Sequence, residues 1–239
     1  MDQLLIVFII FLAVFTQSLA GFGSALVAMA FLPELLGIRV ATPLVAMVAM
    51  TLEGILLVRY RAVLNLRAVW QVSVASLVGI PLGMLTLKRI DEGAAMTMLG
   101  VLIFAYALYN LFELRLPEMN HPAWAYTFGL LAGMLGGAYN TSGPPVVIYG
   151  NSRRWLPVEF KSNLQGFFFF NSIVVVFGHA LSQNITPLVW QDYLMAIPAL
   201  ALGILAGVSL DRMINPVVFR RLVLGLLLVM GGRLILQGF

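Results

Sequence analysis

The sequence contains no cysteine among its 239 residues, which excludes disulfides, thiolate metal centres and cysteine nucleophiles. Histidine is almost missing too: His121 and His179 are the two, too few to make a metal cage alone, so no metal site is expected. No Ser-His-Asp grouping, no paired catalytic aspartates and no nucleotide-binding glycine motif stands out, so neither catalytic residues nor a cofactor are expected. Charge is scarce as well, at 10% of residues.

What the chain has in abundance is apolar surface: 61% of residues are hydrophobic and the mean hydropathy is +0.98, far above an ordinary soluble domain. The formal charge of +4 does not point to nucleic acid, because the basic residues sit in short breaks between apolar runs, as topology signals do. The expected setting is the lipid bilayer, as an all-α, multi-pass protein of the inner-membrane type. Residues 4–15 followed by Ser18-Leu19-Ala20 imitate a signal peptide, but the preceding stretch carries Asp2 and no Lys or Arg, so this segment is expected to be retained.

Charge-poor runs at 4–32, 40–58, 70–87, 94–112, 123–150, 162–181, 188–210 and 217–236 give eight expected membrane segments. Six are of single-crossing length, while the first and fifth are longer and interrupted by glycine or proline. These two correspond: Gly21 with Pro33 and Gly133 with Pro145 share one spacing and lie 112 residues apart. Val69-Trp70-Gln71, Leu82-Gly83 and Asp91 recur as Val189-Trp190-Gln191, Leu202-Gly203 and Asp211 at an offset of 120, which places eight extra residues around Gly150–Pro157. The chain therefore reads as two four-segment repeats, 1–116 and 117–239.

Lys/Arg asymmetry sets orientation. With eight full crossings, nine basic residues stand against five; with segments one and five as re-entrant hairpins, ten stand against four, Arg39, Lys88, Arg89 and Arg233 forming the minority. Both arrangements place the two termini outside. They differ over the Arg59–Arg67 loop and over whether the repeats are parallel or inverted.

An interrupted backbone at membrane depth survives only where it is buried in protein or lines a cavity. The first interruption, Thr16-Gln17-Ser18-Leu19-Ala20-Gly21-Phe22-Gly23-Ser24, is polar and glycine-rich; the second, Gly133 to Pro145, carries Gly137, Asn140, Thr141, Ser142, Gly143, Pro144 and Pro145. Two prolines without amide donors make a continuous helix through Asn140–Pro145 untenable. A helix restarting after each break presents free N–H groups and the positive end of its dipole, an anion site without a cation. Glycine-mediated helix packing through Gly21, Gly133 and Gly137 is the competing use of the same residues.

Ser162, Gln165, Ser172 and His179 share one face of the sixth segment, with Gln165 best placed in depth for substrate; interhelical hydrogen bonding serves equally well as an explanation. Glu53 is the one carboxylate well inside an apolar run, and with His179 it is a candidate proton carrier. Trp70, Trp124, Trp155 and Trp190 mark segment ends, and Phe167–Phe170 reads as lipid-facing or packing bulk.

The paired motifs GFGSALVAMAFLP at Gly21–Pro33 and GMLGGAYNTSGPP at Gly133–Pro145, in a four-plus-four layout, resemble the sulfite exporter TauE/SafE family along essentially the whole chain. The first motif lacks that family's consecutive glycines; the second is fuller. The resemblance implies a permease exporting sulfite, a sulfonate or a similar small oxyanion. The combined expectation is a secondary transporter that binds a small anion between its repeats through Gln17, Ser18, Gly21, Phe22, Gly23, Ser24, Gly137, Asn140, Thr141, Ser142, Gly143, Pro144 and Gln165, with alternating access. A proton as coupling ion and a homo-oligomer are compatible with these features. An anion channel, and a non-transporting structural or assembly protein, are the alternatives.

Overall fold

The structure is a computed structural model that describes residues 2–237 except Arg115 and Arg212, so these two orientation charges lie outside the described residues. Among the described residues there are ten α-helices and no strand: α1 Asp2–Ala20, α2 Ser24–Leu36, α3 Ile38–Tyr60, α4 Leu66–Arg89, α5 Glu92–Leu111, α6 Pro122–Tyr139, α7 Gly143–Ser152, α8 Pro157–Leu181, α9 Pro187–Leu210 and α10 Pro216–Gln237. Six helices, α1, α3, α4, α5, α8 and α9, are long and apolar enough to cross a membrane by length and composition. The first and fifth apolar runs are each divided into two helices, as their glycines and prolines foretold.

Each division has a local cause. Gly21 and Gly23 take φ of +85° and +107°, which a β-carbon disfavours, so the chain turns between α1 and α2. Asn140 ends α6 in the left-handed region at φ 55°, a conformation asparagine tolerates. Pro144 and Pro145 fall in the first turn of α7, where a missing N–H breaks no ladder.

Small residues set the closest helix contacts. Gly129, Gly133 and Gly137 of α6 lie against Val72, Ser76 and Ile80 of α4, in rising order along both helices, so the two run parallel. Likewise Gly203 and Gly207 of α9 meet Val14 and Ser18 of α1, again in parallel. In contrast α3 and α8 are antiparallel, with the Tyr60 carbonyl accepting from Ser162 and Gly54 packed on Phe169. So are α5 and α10, which touch at Gly100 with Gly231 and at Asn110 with Arg220.

Both broken segments double back. Ser24 begins α2 beside Gln17 of α1, and α2 then runs toward Glu34, which pairs with Arg233 at 3.0 Å near the end of α10. Similarly the last residue of α7, Ser152, accepts through its carbonyl from the Met119 amide, just before α6 begins. The tips of these two hairpins converge inside the bundle.

Three helix limits recur along the chain at one spacing. The breaks start at Gly21 and Asn140, the following helices at Ser24 and Gly143, and the next at Ile38 and Pro157; each pair is 119 residues apart. Gly133 and Gly21 stand in different settings. Gly133 lies mid-helix against Ser76 while Gly21 makes a turn, and the shared spacing to a proline concealed two different uses of glycine.

Candidate functional site

A buried polar pocket lies where the two hairpin tips meet. Gln17, Gly23, Ala25 and Leu26 line it from the first break, Asn140, Thr141, Ser142 and Gly143 from the second, and Glu53 and Phe168 from α3 and α8. Its volume is about 20 Å³, room for roughly one water molecule. An oxyanion of several heavy atoms needs the tips to part.

Gln17 organises the first tip. Its Oε1 accepts from the Ser24 hydroxyl at 2.5 Å and from the Ser24 amide at 3.2 Å, and its Nε2 donates to Gln165 Oε1 at 3.4 Å. Gln165 in turn donates from Nε2 to the Gly21 carbonyl at 2.7 Å. Two glutamines from different helices thus fix the backbone of the break. The Ser24 amide is spent on this, leaving the Ala25 and Leu26 amides as the donors of the α2 first turn without a helical partner.

The second tip offers a different donor set. Pro144 and Pro145 have no N–H, so the α7 start contributes the Gly143 amide with the side chains of Asn140, Thr141 and Ser142. Gly143 has open space on its Cα, the nearest atom to an added methyl being Phe168 Cζ at 3.9 Å. A ligand could approach that backbone closely.

Glu53 is buried and reaches the pocket edge, where the Ser172 hydroxyl donates to its Oε2. Glu53 and Ser172 are themselves 119 residues apart, the same spacing as the three pairs of helix limits above. No ion pair among the described residues involves Glu53. His179 is not part of this pocket: it lies two helical turns beyond Ser172, with Nδ1 against Asn184 Nδ2 at 3.0 Å.

Several expected contributors stand elsewhere. Ser18 faces α9, where it packs on Gly207 with its hydroxyl unpartnered, because one residue of helical rotation turns it away from Gln17. Gly137 is pressed against the Ile80 carbonyl of α4, so packing and not ligand binding explains it. Phe22 and Pro144 flank the tips without lining the pocket, and Gly21, Ser24 and Gln165 support it from behind. The polar face of α8 is buried throughout, with Ser162 on the Tyr60 carbonyl, Gln165 on Gly21 and Ser172 on Glu53.

Two residues escaped the sequence reading. Phe168 is buried at the pocket wall, although the run around it suggested bulk packing. Lys161 lies across Gly21, its Cγ 3.1 Å from where a β-carbon would be, and donates from Nζ to the Leu19 carbonyl at 3.3 Å and to Asp211 at 3.4 Å. Its position one helical turn before Gln165 was the available signal.

An all-helical bundle of this hydropathy, with six helices long and apolar enough to cross a bilayer, defines a multi-pass membrane protein. The chain belongs to the sulfite exporter TauE/SafE family, whose profile matches residues 6–234. It is similar to a probable sulfite/organosulfonate exporter TauE of Cupriavidus necator, 26% identical over 227 residues that cover 92% of this chain and 88% of that protein. No solved structure matches it.

Proposed function

We propose that this protein is a secondary transporter that exports a small oxyanion such as sulfite or an organosulfonate, binding it between the hairpin tips. The observation that carries this reading is the convergence of both interrupted helices on one pocket, each with a helix start directed into it. A purely structural role has no need of a polar cavity at the meeting point of two costly backbone breaks. The water-sized volume favours a gated carrier over an open anion channel.

The chain is read as an inverted duplication of five helices, 1–116 and 117–239, with α1–α2 and α6–α7 as re-entrant hairpins. The offset of 119 shared by the breaks, by the α2 and α7 starts and by the α3 and α8 starts, with the paired contacts of α1 with α9 and of α6 with α4, supports it. One end of the bundle then holds Arg59, Arg61, Arg67, Arg153, Arg154, Lys161, Arg220 and Arg221, against Arg39, Lys88, Arg89 and Arg233 at the other. The first end is cytoplasmic and both chain termini are outside. Alternating access follows from rocking of one half against the other, which parts the two tips to admit the anion.

Thermal stability of the purified protein against sulfite, sulfoacetate, taurine, chloride and a neutral control tests this reading, because a ligand selective for the native state raises its melting temperature. Stabilisation by sulfite or one sulfonate is expected; a flat panel would remove the proposal. Asn140→Ala is expected to lose most of that ligand-induced rise, since it deletes a side-chain donor at the second tip, and a retained rise would take Asn140 out of the site.

Glu53 is proposed as the coupling group. A carboxylate and an oxyanion in so small a space repel, so anion occupancy and a proton on Glu53 favour one another by charge. Glu53→Gln keeps the shape and the contact with Ser172 while removing the titration. Flux of this variant in proteoliposomes should no longer vary with pH across the neutral range; unchanged pH dependence would assign coupling elsewhere.

A further inference from the structure

The strongest feature outside the central pocket is a chain of three cavities that share residues from one to the next. The outermost, about 440 Å³, lies at the ends of α5 and α7 and the start of α10, and its wall includes Tyr109, Asn110, Asn151, Arg154 and Arg220. A second, about 30 Å³, continues from Asn110 and Arg220 past Tyr106 to Gly23 and Leu26. The central pocket begins at those same two residues, Gly23 and Leu26. The three cavities therefore lie in order from the bundle end to the hairpin tips, and Arg220 lines the first two.

Arg220 is held in place and yet chemically open. Its Nη2 donates to Asn110 Oδ1 at 2.5 Å, and Asn110 is anchored by its own Nδ2 to the Tyr106 carbonyl at 2.8 Å. None of the ion pairs among the described residues involves Arg220, so its charge is uncommitted and most of the five guanidinium donors are free of Asn110. One turn deeper, Tyr106 borders the second cavity and is 5% exposed, with its hydroxyl buried and without a hydrogen-bond partner. A buried hydroxyl without a partner is costly, and a passing acceptor would relieve that cost. Glu113 and Arg154 share that outer wall with Arg220, and Arg154 is paired with Glu118 at 3.6 Å.

We propose that Arg220, positioned by Asn110, is the capture site for the transported oxyanion at the loading mouth, and that the Tyr106 hydroxyl relays it toward Gly23. The proposal rests on the anion-transporter reading and deepens it. A planar guanidinium matches two oxygens of a sulfite, sulfonate or carboxylate group better than an ammonium does, while its charge alone raises the local anion concentration. Capture at a mouth changes the concentration needed for half-maximal flux and leaves the rate of the central step alone.

The test is uptake of radiolabelled sulfite into inside-out proteoliposomes made with wild type, Arg220→Gln, Arg220→Lys and Tyr106→Phe. Arg220→Gln should raise the half-saturating concentration about tenfold at unchanged maximal rate, and should remove the weakening by added inert salt that wild type shows. Arg220→Lys should keep the salt dependence and most of the affinity; Tyr106→Phe should give a smaller rise. If both Arg220 variants match wild type, or if both are impaired equally, the residue packs α10 on α5 and the capture role is overturned. A lipid phosphate shares the oxyanion chemistry, so the comparison is run in phosphatidylcholine alone and with phosphatidylglycerol added; an effect of Arg220→Gln confined to the latter assigns the guanidinium to lipid and overturns the proposal. Absence of wild-type flux brings down the transporter reading itself, whereas normal wild-type flux with an unaltered Arg220→Gln brings down the capture site alone.

Discussion

Replacing Gln17 with Leu is expected to abolish anion-induced stabilisation and to reduce transport more than any other single change at the pocket. Gln17 joins three elements at once, holding the Ser24 amide and hydroxyl of α2 and meeting Gln165 of α8. Leucine nearly matches its volume but can neither accept nor donate, so it strands the Ser24 groups and part of Gln165 in a dry interior. Each stranded buried polar group costs about 1–3 kcal/mol, and the first tip would be expected to lose its fixed geometry. A loss of anion affinity of about 10- to 100-fold follows from that range. The companion variant Ser18→Ala serves as control. It removes a buried hydroxyl that has no partner and faces α9, so transport should be retained and stability unchanged or slightly higher. If Gln17→Leu leaves ligand stabilisation intact, the hairpin tips are not the anion site.

The second large effect is structural. Gly137→Val should prevent α6 from packing on α4, because an added β-carbon would run into the Ile80 carbonyl, and backbone inside a helix cannot yield as a side chain can. The cost is placed at about 3 kcal/mol or more, the upper end for overpacked cores. Size-exclusion profiles and melting temperature in detergent report it directly: aggregation or a sharply lowered transition is expected. Gly143→Ala gives the contrast, since its methyl would find Phe168 Cζ no nearer than 3.9 Å and the protein should fold normally. A well-folded Gly137→Val that has lost only its response to anion would return Gly137 to the binding site and contradict the helix contact described above.

These two glycines, six residues apart in one motif, show how far the sequence could be read. Both belong to GMLGGAYNTSGPP, and nothing in their local context says that one is pinned between helices while the other borders an open pocket. The difference lies in the neighbour each faces, which is supplied by α4 in one case and by the meeting of the two tips in the other. Ser18 makes the same point against Gln17: adjacent polar residues on a helix face directions about 100° apart, and only the packing of α1 on α9 decides which of them is turned toward the pocket. Glu53, by contrast, was visible from the start, because an acid deep in an apolar run is unusual enough to stand out without a fold.

The sequence by itself determined the membrane class and the positions of both chain breaks. Hydropathy and the conformational limits of glycine and proline act locally, and no tertiary contact is needed to express them. Its family resemblance likewise agreed with the profile match along the chain. Only the tertiary structure decided that α2 and α7 double back and that Gln17, Glu53, Asn140 and Phe168 surround one pocket. Those outcomes depend on which helix surfaces interlock. In this chain the glycine contacts of α4 with α6 and of α1 with α9 bring together residues more than a hundred positions apart, a relation that local preference does not encode.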